Sequence, residues 1–265
     1  MKKIFLFLLV PVIILIVLGT IACLNARKDS NELTVATNAE FPPFERYENG
    51  EFVGFDMDLV REIANIMGKK LVIENMEFDA TLVAVSTGNV DVAISGLTMN
   101  EKRKRSVDFT DPYYSIGQIL LVRAGDNVFT GKTATELAEQ LRGKTIGACS
   151  GFVGQTYVEG DADWGYPGVK GAKLKLYDNV AAGVLDLQNG KLDVFILDDA
   201  VARKVATSEV NKKSVKVIDI PLTTESYAIA VQKGNTRLLE KLNSALDRLA
   251  KNGKLDELKT KWGLK

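Results

Sequence analysis

Two hydroxyls and an arginine stand where a short apolar strand hands over to a helix, in the stretch Ser95-Gly96-Leu97-Thr98-Met99-Asn100-Glu101-Lys102-Arg103. Ordinary capping is one reading, because Ser, Thr and Asn all satisfy free N–H groups at a helix start. Anion binding is the other. A helix N-terminus favours negative charge, and a guanidinium grips a carboxylate with two parallel hydrogen bonds. A second apolar strand, Val194–Leu197, runs straight into Asp198 and Asp199. Asp198 suits an ammonium. Arg103 on one wall and Asp198 on the other fit a zwitterion, with Ser95 and Thr98 beside its carboxylate.

Composition removes several alternatives. The chain of 265 residues has no histidine, which excludes Ser-His-Asp and Cys-His catalysis and any histidine-ligated metal. Its two cysteines, Cys23 and Cys149, allow no C-x-x-C redox or zinc pattern. We therefore expect no cofactor and no metal. Basic and acidic residues balance at 34 each, whereas nucleic-acid binders carry a basic excess. The charged run Glu101–Arg105 reads as a solvated helix face. The segment "GACSGFVGQ" has glycines but lacks the Gly-Lys-[Ser/Thr] ending of a phosphate loop.

The elements that must position these groups alternate from residue 33 onward. Strands are expected at Leu33–Thr37, Leu71–Glu74 and Val90–Ser95. Helices are expected from Asp56, as cap, to the stop at Gly68, and over Asp79–Thr87 before Gly88. Such alternation implies a parallel sheet covered by helices. The phrase "GNVDVAIS" (88–95) then returns as "GKLDVFIL" (190–197), again after an amphipathic helix. Two similar α/β lobes follow. "YYSIGQILLV" (113–122) leads out of the first lobe and "ESYAIAVQKGN" (225–235) leads back. Two crossings make a hinge, and hinged lobes close around ligands. The boundaries read as 33–115 plus 226–265 for lobe 1 and 119–222 for lobe 2, with hinges near 115–119 and 222–226. Ligands of open parallel sheets bind beyond the carboxyl ends of the strands, where the Arg103 and Asp198 segments both lie.

The N-terminus carries Lys2 and Lys3, an apolar run over Ile4–Leu18, small residues and then Cys23. This reads as a secretory signal over 1–23, with a plain cleaved signal or an uncleaved membrane anchor as the alternatives to lipidation, followed by a polar tether over 24–32. "TIAC" (20–23) resembles a bacterial lipobox, with Thr20 where leucine is usual, so Cys23 is the expected lipidation site. Cys149 is then a free, small, buried thiol.

Taken in order, "FPPFE…GEFVGFDMDLVREIA", "VDVAISGLTMNEKRKRSVDFTDPYY" and "LDVFILDDAVA" resemble the polar-amino-acid family of extracellular solute-binding proteins, family 3, over residues 33 to 263. The resemblance implies a two-lobed periplasmic-binding-protein-like fold (type II) and no enzymatic activity. It implies capture of a polar L-amino acid outside the cytoplasm by lobe closure and delivery to an ABC permease; a monomer is the default expectation. It also implies a role for each matching position. Phe41 and Phe78 would sandwich the ligand side chain. Ser95, Gly96, Thr98 and Arg103 would hold the α-carboxylate, and Asp198 the α-amino group. Asn38 would read the side chain's end, and Cys149 and Gly151 would face the ligand from the second lobe. One departure stands out: Phe152 and Val153 follow Gly151 where the family often has a small hydroxyl pair, leaving backbone N–H groups or Gln155 to substitute. Trp164 and Trp262 read as structural, and Glu40, Glu45 and Asp111 as solvated or capping. The alternatives are a dehydratase of the arogenate or prephenate type, using Glu40 or Asp199 as acid, and a ligand-sensing domain.

Overall fold

The computed structural model describes residues 31–264; the expected signal, lipidation site and most of the tether lie outside that range. The first element of the described residues is strand β1 (Glu32–Thr37). The chain then folds a small meander from β2 (Glu40–Phe41), β3 (Glu45–Glu48) and β4 (Glu51–Val53). Helix α1 (Phe55–Met67) follows, burying Leu59, Val60, Ile63 and Ala64 at helical spacing. Gly68 ends it in the left-handed region. Asp56 does not cap this helix, contrary to the expectation. Gly54 holds the cap position, and Asp56 lies fully buried in the first turn.

Next come β5 (Lys70–Asn75), α2 (Phe78–Ser86), β6 (Val92–Ala93), the short α3 (Glu101–Lys104) and β7 (Val107–Phe109). The chain leaves through β8 (Tyr114–Ile116). The second lobe contains β9 (Gln118–Arg123), α4 (Ala134–Gln140), β10 (Thr145–Cys149), α5 (Val153–Glu159), β11 (Lys173–Tyr177), α6 (Val180–Gln188), β12 (Val194–Asp198), α7 (Asp199–Thr207) and β13 (Val215–Ile218). The return runs through β14 (Glu225–Tyr227) and β15 (Ala230–Gln232) to α8 (Thr236–Lys251) and α9 (Lys254–Trp262). Leu242, Ala245, Leu246 and Leu249 of α8 pack back onto the first lobe's core.

The two main sheets have the same plan. The first is ordered β5-β1-β6-β15-β7 and the second β11-β10-β12-β9-β13. In each, the first three strands run parallel and the fourth is antiparallel. In the first sheet that fourth strand comes from the returning chain, so the lobe is discontinuous in sequence. The repeated phrase has one structural job in both lobes. The Asp91 carboxylate accepts from Thr34 N–H at 2.8 Å, and the Asp193 carboxylate from Thr145 N–H at 2.8 Å. Each aspartate ties the start of the sheet's third strand to the second strand in this order, β1 or β10. Strands β8 and β14 pair into a ribbon between the sheets, bringing the two crossings side by side.

Candidate ligand-binding cleft

The cleft forms where the carboxyl ends of both sheets meet. Arg103 arrives by local chemistry: the Asn100 side chain accepts from Arg103 N–H at 2.7 Å and caps α3. The guanidinium bridges the lobes. It donates to the Thr98 carbonyl at 2.7 Å in the first lobe and to the Gly151 carbonyl at 3.1 Å in the second. Its charge lies 5.4 Å from the Phe78 ring centroid, within cation–π range. Burial lowers its pKa to about 10, against the pull of Asp79, Asp198 and Glu225, so it stays charged at neutral pH. Two of its five N–H donors are engaged in these contacts, which leaves three for a ligand.

Asp198 ends β12 and starts α7, but its side chain makes no capping bond. Its oxygens accept from Gln118 Nε2 and from the Tyr227 hydroxyl. Burial pushes its pKa up to about 6, against those two hydrogen bonds, so it is mostly ionised at pH 7. Each oxygen keeps a lone pair for an ammonium. Beside it, Glu225 accepts from Tyr166 at 3.2 Å and from Thr98 at 3.4 Å. Burial first, and then the charge of Asp198, raise Glu225 to about 7.

Phe41, Phe78, Gly96, Thr98, Arg103 and Asp198 line one cavity together with Phe152 and Val153. The remaining expected positions stand elsewhere. Ser95 is buried behind the loop; its hydroxyl accepts from Asn38 N–H at 2.9 Å and donates to Glu45 at 3.1 Å. The Asn38 side chain donates to the Met76 carbonyl at 3.1 Å. Cys149 is buried at the end of β10, where burial pushes its thiol up to about 12. Gly151 offers its carbonyl to Arg103, while its N–H donates to Gln155 Oε1 at 2.8 Å. Gln155 therefore occupies a backbone donor rather than adding one to the cleft. The Gly96 N–H likewise goes to Asp56 at 2.9 Å. What Gly96 supplies is its left-handed turn (φ +52°) and its missing side chain, since a Cβ there would press on the Phe41 ring at 3.0 Å.

Glu45 is neither solvated nor capping. It is fully buried beneath the binding loop, next to Asp56. The Asp56 carboxylate accepts from Gly96 N–H and from the Tyr113 hydroxyl, each at 2.9 Å. Glu45 Oε2 and Asp56 Oδ1 have no further donor, and one proton shared between the two carboxyls satisfies both. Burial, reinforced by Asp56, holds the Glu45 pKa well above the carboxylate range, and burial raises Asp56 to about 6. The motif "PFE…GFD" contains both acids; only the fold brings them under one loop. Asp199 pairs with Arg203 at 2.8 Å, and Glu40 lies exposed on β2, so neither lines the cleft. The described residues contain no acid or thiol cluster that could hold a metal ion and no helix long and apolar enough to cross a membrane.

Residues 33–265 match the model of the bacterial extracellular solute-binding proteins, family 3. The chain belongs to this family. A relative in Neisseria gonorrhoeae, described as a probable histidine-binding protein, is 30% identical over 92% of this chain and 87% of its own length. Among solved structures, the substrate-binding protein of an amino acid ABC transporter superposes with a TM-score of 0.74 at 32% identity. It covers 87% of this chain and 98% of its own. An ancestral arginine-binding protein bound to arginine gives 0.76 at 38% identity, covering 88% and 98%. Family 3 thus accounts for the two-lobed fold as well as the sequence.

Proposed function

We propose that the protein captures a polar L-amino acid outside the cytoplasm and hands it to an ABC importer in the membrane. The observation that carries this reading is the juxtaposition of Arg103 and Asp198 in one aromatic-lined cleft. Arg103 holds the α-carboxylate through its remaining donors, with the Thr98 segment positioning it. Asp198 takes the α-ammonium. Phe41 and Phe78 flank the side chain. Residues 33–115 and 226–265 move as one lobe and 119–222 as the other, about the β8–β14 ribbon. Burying both charged ends is favourable only when each meets its partner, so a molecule lacking either end is rejected. Cys23 anchors the chain by a lipid, and the protein acts as a monomer without a cofactor. The relatives' names, with histidine, arginine and an amino acid ABC transporter among them, support this class of ligand.

Thermal unfolding against a panel of L-amino acids, with arogenate included, tests the reading. Ligand at about a hundred times its dissociation constant adds roughly 2.7 kcal/mol, which moves the midpoint by several degrees. A shift with one or a few amino acids supports capture. Turnover of arogenate with release of phenylalanine would replace capture with dehydration.

A further inference from the structure

Phe152 is the residue that fills the cleft. Phe152 comes from the second lobe, immediately before α5, yet its ring lies between two rings of the first lobe. It meets Phe41 edge-on with centroids 5.1 Å apart and Phe78 at 4.7 Å. Both distances fall in the attractive range for aromatic pairs. Among Phe41, Phe78, Thr98, Arg103, Phe152 and Asp198, the room left for the centre of a water-sized sphere is about 10 Å³. That admits about one water molecule and no amino acid. On the first-lobe side Phe41 is fixed, being 3% exposed and packed on Gly96 and Phe44, while Phe78 is half-buried at the start of α2. Phe152 is only half-buried and follows Gly151, which is in the left-handed region at φ +76°. Because it belongs to the second lobe, it is the wall that leaves the slot when the lobes part.

We propose that Phe152 determines what this cleft accepts: its ring occupies the slot a ligand side chain needs, holds the two lobes together there, and must be withdrawn before a ligand enters. This rests on the ligand-capture reading above. Two aromatic contacts across the lobes favour the filled arrangement, and a molecule in that arrangement does not bind. The apparent affinity is therefore lowered by the fraction of molecules open to ligand. Long side chains, which need the whole slot, are affected most.

The test compares the wild-type chain with Phe152→Thr and Phe152→Tyr. The first removes the ring and the second keeps it. Circular dichroism melting checks that each folds. Small-angle scattering without added amino acid should give a larger radius of gyration for Phe152→Thr, with Phe152→Tyr matching the wild type. Calorimetry with L-arginine and L-glutamine should show Phe152→Thr binding about tenfold tighter, as expected if about one wild-type molecule in ten is open. An unchanged radius, or weaker binding by Phe152→Thr, overturns the proposal and makes Phe152 an ordinary ligand contact. If no amino acid binds any of the three proteins, the capture reading fails. The scattering comparison then decides by itself whether Phe152 joins the lobes.

Discussion

Arg103 and Asp198 are expected to contribute unequally to folding and binding. Each is buried in the cleft with partners of its own, so truncation leaves the elements intact but strands one end of a zwitterion. Arg103→Ala or Asp198→Ala should weaken amino-acid binding about a hundredfold or more, the usual loss when one partner of a buried charge pair is removed. The unfolding midpoint should stay within a few degrees. Calorimetry with the best ligand of the panel checks this, and retained affinity in either variant would remove that residue from the site. The Glu45–Asp56 pair predicts a pH effect with a definite sign. Both carboxyls hold their proton more tightly in the folded chain than in the unfolded one. Their stabilising contribution is therefore full below about pH 4, the unfolded value, and is lost as pH rises through the folded values, about 6 for Asp56 and well above the ordinary carboxylate range for Glu45. Asp198 and Glu225 shift in the same direction. Glu45→Gln keeps a donor for Asp56 and an acceptor for Ser95 but has no proton to lose. Its melting temperature at pH 8 should exceed that of the wild type by about 3 °C or more, near 1 kcal/mol for a chain of this size. The decline from pH 5 to 8 should flatten. An unchanged slope would mean the pair holds no shared proton.

At the level of elements, the cleft depends on how α1 begins. Gly54 sits at φ +139°, and a Cβ on it would overlap the carbonyl oxygen of Phe44. That contact is with backbone, which cannot rotate away. The close approach lets Asp56 N–H bond to the Phe44 carbonyl at 3.0 Å and brings the Asp56 carboxylate under Gly96. Gly54→Ala should destabilise the chain by roughly 3 kcal/mol, at the upper end for overpacking, with a matching drop in the urea midpoint. If the midpoint stays put, the approach of α1 to β3 is looser than described. Much at this scale is legible in the sequence. The α1 core stripe, its Gly68 stop and the return of "G-x-(V/L)-D-V" in both lobes all follow from local chemistry. The start of α1 was misread because aspartate near a helix start signals a cap, and nothing local says that its carboxylate is taken by a loop forty positions on.

For the whole molecule, the mouth of the cleft has its own contacts. Lys102 and Arg105 of the first lobe pair with Asp161 and Asp163 of the second. Lys102, Arg105 and Asp163 are exposed and Asp161 is half-buried, and surface pairs contribute little in high dielectric and less in salt. Their effect should fall on the release rate rather than on whether the lobes meet. The double variant Asp161→Asn with Asp163→Asn should release ligand a few-fold faster in stopped-flow fluorescence at low salt. The difference from wild type should fade at about 0.5 M salt, where the screening length is a few ångströms. A difference that persists in high salt would mean the loop at 161–166 acts through shape instead of charge.

The sequence by itself determined the two α/β lobes, their order along the chain and the positions of Arg103 and Asp198. Those rest on periodicity, turn residues and the chemistry of a guanidinium and a carboxylate, all of which are local. Only the tertiary structure decided which candidates meet. Ser95 and Asn38 turn away from the cleft to tie down the loop, Glu45 and Asp56 share a site under it, and Phe152 crosses from the other lobe into the aromatic slot. These are contacts between residues far apart in the chain. Each is set by how helices and sheets pack, and no spacing within a single segment encodes it.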